Sequence, residues 1–279
     1  MPYSAEISRT NPSCFLFLID QSGSMADGFG AGETAQRKCD ALQKAVNRIL
    51  KELTLKCAKS EGIRDYYHIG VLGYGAQVGP AFSGALAGKE MIPVSEIANN
   101  PSRLEEVNKK VDDGAGGLVD QQVKMPIWFE AEAKDGTPMC EAFSQAHRLM
   151  ERWVADHPAS YPPIVINVTD GESSDGDPVA AAQKLQSLST GDGSLLLFNL
   201  HLSSTRAAPV EFPDSDLTLA DQFARRLYGM SSPLPDRMRE IAQREGFNVG
   251  AQARGFVFNA DLVSMVRFLD IGTRVGNLR

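Results

Sequence analysis

The sequence has no long hydrophobic run and no excess of basic residues. No stretch approaches the roughly 18 consecutive apolar residues of a membrane-spanning helix, so we expect no transmembrane segment. The 28 Lys and Arg residues are outnumbered by 35 Asp and Glu residues, which gives a net charge of -7. Because nucleic acids and anionic lipids are bound by cationic surfaces, this balance argues against both as general partners.

The few cysteines and histidines form no metal-binding or redox pattern. The cysteines lie far apart without a CxxC pair, so we expect them to be reduced and mostly buried: Cys14, Cys39, Cys57 and Cys140. The histidines show no HExxH spacing and are interpreted as structural residues: His68, His147, His157 and His201. Residues 1–13 lack a basic segment followed by an apolar one, so we expect a cytoplasmic protein.

Apolar runs of two kinds alternate along the chain. Residues 14–19 (CFLFLI) are continuously apolar, which is typical of a parallel strand buried on both faces. Apolar residues recur at helical spacing from about Thr34 to Cys57 and from Pro138 to Trp153. The same patterns predict strands at 68–74, 164–168, 194–202 and 255–258, and helices at 178–188, 235–245 and 261–269.

This alternation predicts an α/β fold, a doubly wound, Rossmann-like, mostly parallel sheet with helices on both faces. Residues 91–94 are expected to add one short antiparallel edge strand. The whole chain, 1–279, is predicted to be a single domain with insertions at about 76–135 and 203–234. The charge- and glycine-rich part of the first insertion, 99–135, is interpreted as ordered because it ends in an apolar cluster.

Three loops next to these elements carry side chains with oxygen atoms. The first strand ends in DQSGS at 20–24, where Asp20, Ser22 and Ser24 stand at alternate positions. Asp170 follows the strand at 164–168, and Thr137 precedes a helix, where it suits an N-cap with a proline as the first helical residue. Doubly wound sheets bind ligands at the carboxyl ends of their strands, so we expect these side chains to meet there.

Two carboxylates and three hydroxyls suit a hard divalent cation. Mg²⁺ prefers oxygen ligands and keeps several waters, so a position would remain open for an outside ligand. We predict a site for Mg²⁺, with Mn²⁺ and Ca²⁺ as alternatives, formed by Asp20, Ser22, Ser24, Thr137 and Asp170. Each motif alone is more simply a turn or a helix start. Their joint appearance, each at the end or start of a predicted element, favours the metal site.

At these residues the sequence resembles the von Willebrand factor type A (vWA) family, whose metal-ion-dependent adhesion site (MIDAS) combines DxSxS, a threonine and an aspartate from three loops. The matching stretches are DQSGSM at 20–25, DGTPM at 135–139 and VTDG at 168–171, within a resemblance that covers about 12–272. It implies direct ligation by Ser22, Ser24 and Thr137, and ligation by Asp20 and Asp170 either directly or through water. An acidic side chain of a partner would complete the shell.

The function that this resemblance implies is non-catalytic binding, in which the cation captures an Asp or Glu of a partner protein. The chain is similar to bacterial, intracellular vWA proteins associated with tellurium resistance and stress. Such proteins imply a signalling, stress-response or ATPase-associated complex, with an AAA+ ATPase or a kinase and phosphatase pair as partner. The alternative is a metal-dependent hydrolase or phosphotransferase that uses the same site. Against it, the sequence places no His or Lys as a general base.

Other residues near the motifs have two interpretations each. The acidic residues after Asp170 could contact a cation, but a solvated acidic loop is the preferred interpretation: Glu172, Asp175 and Asp177. The apolar residues beside the motifs could form a rim for a partner or be buried beneath the loops: Met25, Phe29 and Met139.

Overall fold

An eight-stranded sheet is the main element of the computed structural model, which describes residues 2–29, 36–112, 118–202, 208–219 and 221–273. The strands of this sheet and of one separate hairpin are, in chain order, β1 Ser13–Asp20, β2 Tyr67–Tyr74, β3 Val78–Pro80, β4 Ile92–Pro93, β5 Arg103–Asp112, β6 Leu118–Ile127, β7 Ile164–Thr169, β8 Leu196–Leu202, β9 Val210–Glu211 and β10 Phe256–Ala260. β5 and β6 form the hairpin.

The strand order in the sheet is β9-β10-β8-β7-β1-β2-β3, and β4 also pairs with β2. β10, β8, β7, β1 and β2 run parallel, which confirms the predicted doubly wound α/β fold. The prediction of one antiparallel edge strand was incomplete, since β3, β4 and β9 are all short and antiparallel. From β1 the chain builds the sheet first towards β2 and later towards β7, so the strand order reverses between β1 and β7.

The helices lie on both faces of the sheet. They are α1 Lys38–Lys56, α2 Val94–Asn99, α3 Met139–Asp156, α4 Val179–Gln186, α5 Gln222–Met230, α6 Asp236–Arg244 and α7 Leu262–Thr273. The predicted helix start at Thr34 lies outside the described residues, and α1 begins at Lys38. α2 and α5 were not predicted. None of the described helices combines the length and the apolarity that a membrane crossing requires.

The core has two halves, one on each face of the sheet. Successive side chains of a strand point to opposite faces, so the residues of β1 contribute alternately to the two halves. Phe15 and Phe17 pack with α1, α2, α6 and α7, whereas Leu16 and Leu18 pack with α3, α4 and α5. All four side chains are fully buried. Each such burial stabilises the folded chain by ~1.5–3 kcal/mol, so the strand that carries Asp20 at its end is rigidly supported.

The β5–β6 hairpin lies within the predicted insertion at 76–135 and pairs Arg103 with Ile127 at its base. Asn47, a buried residue of α1, connects this base to the body of the protein. Its Oδ1 accepts the backbone N–H groups of Trp128 at 2.8 Å and Phe129 at 3.1 Å, and its Nδ2 donates to the Phe129 carbonyl at 2.8 Å. The start of the hairpin is therefore fixed against α1.

Smaller elements complete the described structure. Short 3-10 helices span Gly23–Ala26 and Gly84–Leu86. Two-residue strands pair at Gly28–Phe29 with Gln36–Arg37, at Ala58–Lys59 with Gly62–Ile63, and at Ser189–Thr190 with Gly193–Ser194. The cysteines are free, and all except the half-buried Cys140 are buried, as expected.

Candidate metal site

Asp20 lies where the strand order reverses, at the carboxyl end of β1. β1 and β7 are in register, with Ile19 beside Val168, so Asp20 comes next to Thr169. Thr169 Oγ1 donates to Asp20 Oδ2 at 2.6 Å, and the backbone N–H of Ser22 donates to Asp20 Oδ1 at 2.8 Å. The carboxylate of Asp20 is therefore fixed in the crevice where doubly wound sheets bind ligands.

Burial makes the charged form of Asp20 unfavourable. The residue is 1% exposed. This burial raises the pKa of Asp20 to about 6, although hydrogen bonds from Ser22 and Thr169 lower it, and the negative charge of Asp170 raises it further. A positive charge near the carboxylate would favour its ionised form.

Ser22 and Ser24 connect the two carboxylates. The hydroxyl oxygens of the two serines are 3.0 Å apart, and Ser24 Oγ donates to Asp170 Oδ1 at 2.8 Å. Ser22 is buried and Ser24 is exposed. The turn after β1 therefore aligns its two hydroxyls between the strands, as their alternate spacing in the sequence predicted, and the Ser24 end of this row is open to solvent.

Lys38 was missed by the sequence reasoning, although it lies directly on the site. Its Nζ is 2.8 Å from Asp170 Oδ2, and the Lys38 and Asp170 side chains are only 5% and 4% exposed. Lys38 is the first residue of α1, where the sequence analysis named no site residue. An ammonium group is buried at low cost only when it is paired, and Asp170 provides the pair.

The loop before α3 packs against the turn after β1. The backbone N–H of Gly23 donates to the Asp135 carbonyl at 2.8 Å, and that of Lys134 donates to the Gln21 carbonyl at 2.6 Å. Asp135 has a φ of 62°, a left-handed conformation that is uncommon outside glycine. A side chain at Gly75 would lie 2.7 Å from the Gln21 carbonyl oxygen, so a glycine after β2 lets these loops approach.

Thr137 lies between this loop and the loop after β7. Its backbone N–H donates to Ser174 Oγ at 2.8 Å, and its carbonyl accepts the N–H of Ser174 at 2.9 Å. Thr137 itself is 9% exposed. The structure therefore connects all three predicted loops: Asp20, Ser22, Ser24 and Asp170 through a hydrogen-bonded row, and Thr137 through its backbone.

The predicted N-cap at Thr137 was wrong. α3 begins at Met139, so Pro138 occupies the cap position and Thr137 precedes it. The free N–H groups of this helix start are satisfied from the third loop, where the Asp175 carboxylate accepts those of Cys140 at 3.0 Å and Glu141 at 2.9 Å. Because a carboxylate suits the positive end of a helix, the cap does not require the hydroxyl of Thr137.

The structure also decides most of the open interpretations around the site. Met25 and Met139 are 0% and 1% exposed, so they are buried beneath the loops and form no rim. The side chain of Phe29 lies outside the described residues. Glu172 and Asp177 are exposed, as expected for a solvated acidic loop, whereas Asp175 also caps α3.

His201 is a further residue at this edge of the sheet. It pairs with Thr169 in the register of β7 and β8, its ring stacks on Phe258 at 5.1 Å, and it is hydrogen-bonded to the backbone of Asp170. Burial lowers its pKa below the usual value for histidine. Within the described part of the chain, its buried Nδ1 has no hydrogen-bond partner. His201 therefore supports the Asp170 loop as a neutral ring, consistent with its interpretation as structural.

Comparison with known proteins gives no family match: neither a protein-family model nor a curated protein matches the chain. Solved structures with some likeness include the vWF domain of the type V pili tip protein Mfa5 from Porphyromonas gingivalis, with 15% identity, a TM-score of 0.32, and coverage of 58% of this chain and 39% of that chain. The pilus adhesin RrgA from Streptococcus pneumoniae has 13% identity and a TM-score of 0.32, with coverage of 62% of this chain and 22% of that chain.

A third structure, the adhesive tip pilin GBS104 from Group B Streptococcus agalactiae, has 12% identity and a TM-score of 0.30, covering 87% of this chain and 72% of that chain. The chain spans only 39% of the Mfa5 domain chain and 22% of the RrgA chain. The fold is therefore assigned from the sheet topology of the chain itself.

The donor set fits a hard divalent cation. Two carboxylates and three hydroxyls come from three connected loops, and all are oxygen donors. Of the two carboxylates, Asp170 is paired with Lys38, whereas the hydrogen bonds of Asp20 come from a hydroxyl and a backbone amide. In the described ranges no group of three or more His, Cys, Asp or Glu side chains converges on a metal position. A cation here would be bound by hydroxyls together with the carboxylates.

Proposed function

We propose that the chain is a vWA-type protein-binding module that holds one divalent cation with Asp20, Ser22, Ser24, Thr137 and Asp170. The cation, Mg²⁺ with Mn²⁺ or Ca²⁺ as alternatives, would supply a concentrated positive charge with an open position for an Asp or Glu of a partner protein. The observation that carries this proposal is the row from the buried Asp20 through Ser22 and Ser24 to Asp170, located where the strand order reverses.

Hydrogen bonds from neighbouring residues hold the two carboxylates of the site in place before a ligand binds. Asp20 is fixed by Thr169, and Asp170 accepts a hydrogen bond from Ser24, so the two carboxylates need little rearrangement. Residues that are already oriented lose less conformational entropy when a ligand binds. The exposure of Ser24 leaves the site accessible to a partner at its outer end.

A binding role is proposed in preference to hydrolysis or phosphoryl transfer. A general base has to reach the proton that it removes. The histidine beside the site, His201, has a buried ring that stacks on Phe258 and supports the Asp170 backbone. The Lys38 ammonium group is likewise engaged with carboxylates, at 2.8 Å from Asp170 and 3.9 Å from Asp27. We therefore propose no enzymatic activity for this site.

The partner is proposed from the resemblance of the motifs. Bacterial vWA proteins of this type imply a partner in a signalling, stress-response or ATPase-associated complex, such as an AAA+ ATPase or a kinase and phosphatase pair, and a cytoplasmic location. The chemistry of the site itself requires only a protein with an accessible Asp or Glu. The acidic surface expected from a net charge of -7 means that such a carboxylate would be attracted locally, by the cation, and not by the protein as a whole.

Affinity capture in parallel buffers tests this function. The immobilised protein should retain its partner in magnesium and release it in EDTA. The double variant Asp20→Asn, Ser22→Ala should retain nothing in either buffer, although it keeps an acceptor oxygen for Thr169. Glu172→Gln, which removes one exposed charge from the same region, is the matched control and should behave as the wild type. Retention by the double variant at the wild-type level would refute capture through the cation.

A further inference from the structure

Lys38 is a buried cation at a site that is rich in oxygen donors. Its Nζ contacts Asp170 Oδ2 at 2.8 Å and lies 3.9 Å from Asp27 Oδ2. Its backbone N–H donates to the Asp27 carbonyl at 3.0 Å, which fixes the start of α1 beside the turn that carries the serines. The ammonium group is therefore already in the position of a counter-ion to one of the two proposed carboxylate ligands.

Both oxygens of Asp170 are already engaged. Oδ1 accepts the Ser24 hydroxyl at 2.8 Å, and Oδ2 accepts the Lys38 ammonium group at 2.8 Å. A divalent cation that shares this carboxylate would lie close to the ammonium group, and two positive charges at such a distance in a poorly solvated place repel strongly. Binding of the divalent cation and the Lys38–Asp170 contact therefore oppose each other.

A second carboxylate is within reach of Lys38. The Asp27 side chain is 64% exposed, in contrast to that of Asp170 at 4%. A short movement of the long lysine side chain would bring its ammonium group from Asp170 onto Asp27, where solvent also stabilises the charge. The exchange needs no change in the backbone of α1.

We propose that Lys38 is a built-in counter-ion that competes with the divalent cation for Asp170 and moves to Asp27 when the cation binds. This inference rests on the proposed metal site. Lys38 neutralises the charge of Asp170 when the cation is absent and lowers the affinity of the site for the cation.

Calorimetric titration with Mn²⁺ alone, on four versions of the full chain, tests this competition. Lys38→Met removes the ammonium group but keeps the length of the side chain, and it should lower the Kd for Mn²⁺ by about tenfold or more. Asp27→Asn removes the alternative partner and should raise the Kd by about two- to fivefold, the range of an exposed ion pair. Lys44→Met, the same change at an exposed residue of α1, should leave the Kd unchanged.

The outcomes separate this inference from the proposed function. A folded Lys38→Met protein with a Kd equal to or higher than that of the wild type would overturn the competition while leaving the metal site in place. If circular dichroism shows Lys38→Met to be unfolded, an unchanged Kd in Asp27→Asn overturns it instead. Uptake of Mn²⁺ by Lys38→Met but not by the wild type would support the competition and refute the metal-dependent function. No uptake by any folded version would refute both.

Discussion

Thr169 and Asp20 are joined by a 2.6 Å hydrogen bond between the Thr169 hydroxyl and the Asp20 carboxylate, across the line where β7 and β1 lie side by side. Both residues are at most 1% exposed. A buried carboxylate depends strongly on each donor that it has, because water cannot replace a lost one. This bond therefore links the position of the proposed metal ligand to the stability of the sheet.

Thr169→Val should lower the free energy of unfolding by ~1.5–3 kcal/mol at about pH 8, the range for a hydrogen bond to a charged group. The matched control is Thr54→Val, which removes a hydroxyl that donates to the Lys51 carbonyl at 2.7 Å. That bond is between neutral groups, and its loss should cost only ~1 kcal/mol. Urea unfolding of both variants measures the two losses of unfolding free energy. Equal losses would show that the Thr169–Asp20 hydrogen bond contributes no more than a bond between neutral groups.

Gly75→Ala should disturb the site through its loops. The added carbon would lie 2.7 Å from the Gln21 carbonyl oxygen and 2.8 Å from that of Lys134, both of them backbone atoms that cannot move aside easily. We expect a loss of ~1–3 kcal/mol in unfolding free energy, as for other overpacked positions, together with weaker cation binding. Gly79→Ala, where nothing lies within 4 Å of the added carbon, is the control. Equal effects of the two changes would contradict the proposed role of Gly75.

Stability should decrease in mild acid because of His68. Burial and the neighbouring His157 lower the pKa of His68, and its Nδ1 accepts a hydrogen bond from Trp153 Nε1 at 3.0 Å, which needs the neutral ring. In the unfolded chain a histidine binds its proton near pH 6.5. The stability that the neutral ring contributes is therefore complete above that pH and is lost as the pH falls.

Unfolding free energies at about pH 7.5 and about pH 5.5, on either side of the usual histidine pKa, measure this effect. His68→Gln should lose less stability on acidification than the wild type, because it has no proton to bind. His147→Gln, the same change at a histidine of α3, is the control. A loss in His68→Gln as large as that of the wild type would place the acid sensitivity in other groups.

The thiols should differ sharply in reactivity. Cys140 is half-buried, whereas Cys14, Cys39 and Cys57 are buried and free. A thiol reagent should therefore modify Cys140 first in the native protein, at a rate moderated by the raised pKa of its thiol. The other three should react only after unfolding. Rapid modification of all the thiols, or a disulfide-linked peptide in a mass map, would contradict this arrangement.

The buried strands and the three motif loops were predictable because their physical basis is local. A continuously apolar run such as Phe15 to Ile19 is typical of a strand buried on both faces, as a central parallel strand is. The carboxyl ends of such strands meet at one edge, so Asp20 and Asp170 were expected together. The alternate positions of Ser22 and Ser24 in the sequence also predicted that their hydroxyls would lie in one row.

The position of Lys38 was not predictable in the same way. At the start of an amphipathic helix, a lysine normally faces solvent. Its burial depends on Asp170, which lies 132 residues further along the chain and is brought close only by the sheet. The N-cap at Thr137 failed for a related reason, since the carboxylate that caps α3 belongs to Asp175 in another loop.

The β5–β6 hairpin and α5 are among the described elements that were missed. The β5–β6 hairpin is rich in charge, and Leu104 and Val107 do not alternate with the period of a strand. Its ten paired positions and its attachment to Asn47 stabilise it instead. α5 is short, but its N-cap was visible in the sequence: Asp221 accepts the N–H of Ala224 at 2.7 Å.

Cation uptake by the unmodified protein tests the central claim most directly. The measurement is calorimetric titration of Mg²⁺ and Mn²⁺ into EDTA-stripped wild type, into the double variant Asp20→Asn, Ser22→Ala, and into Glu172→Gln, with thermal unfolding of the same samples. The wild type and Glu172→Gln should bind about one cation per chain, as the proposed set of five oxygen ligands around one position requires. The double variant should remain folded and bind none. A wild type that takes up no cation at millimolar concentration, or a folded double variant that binds like the wild type, would contradict the account.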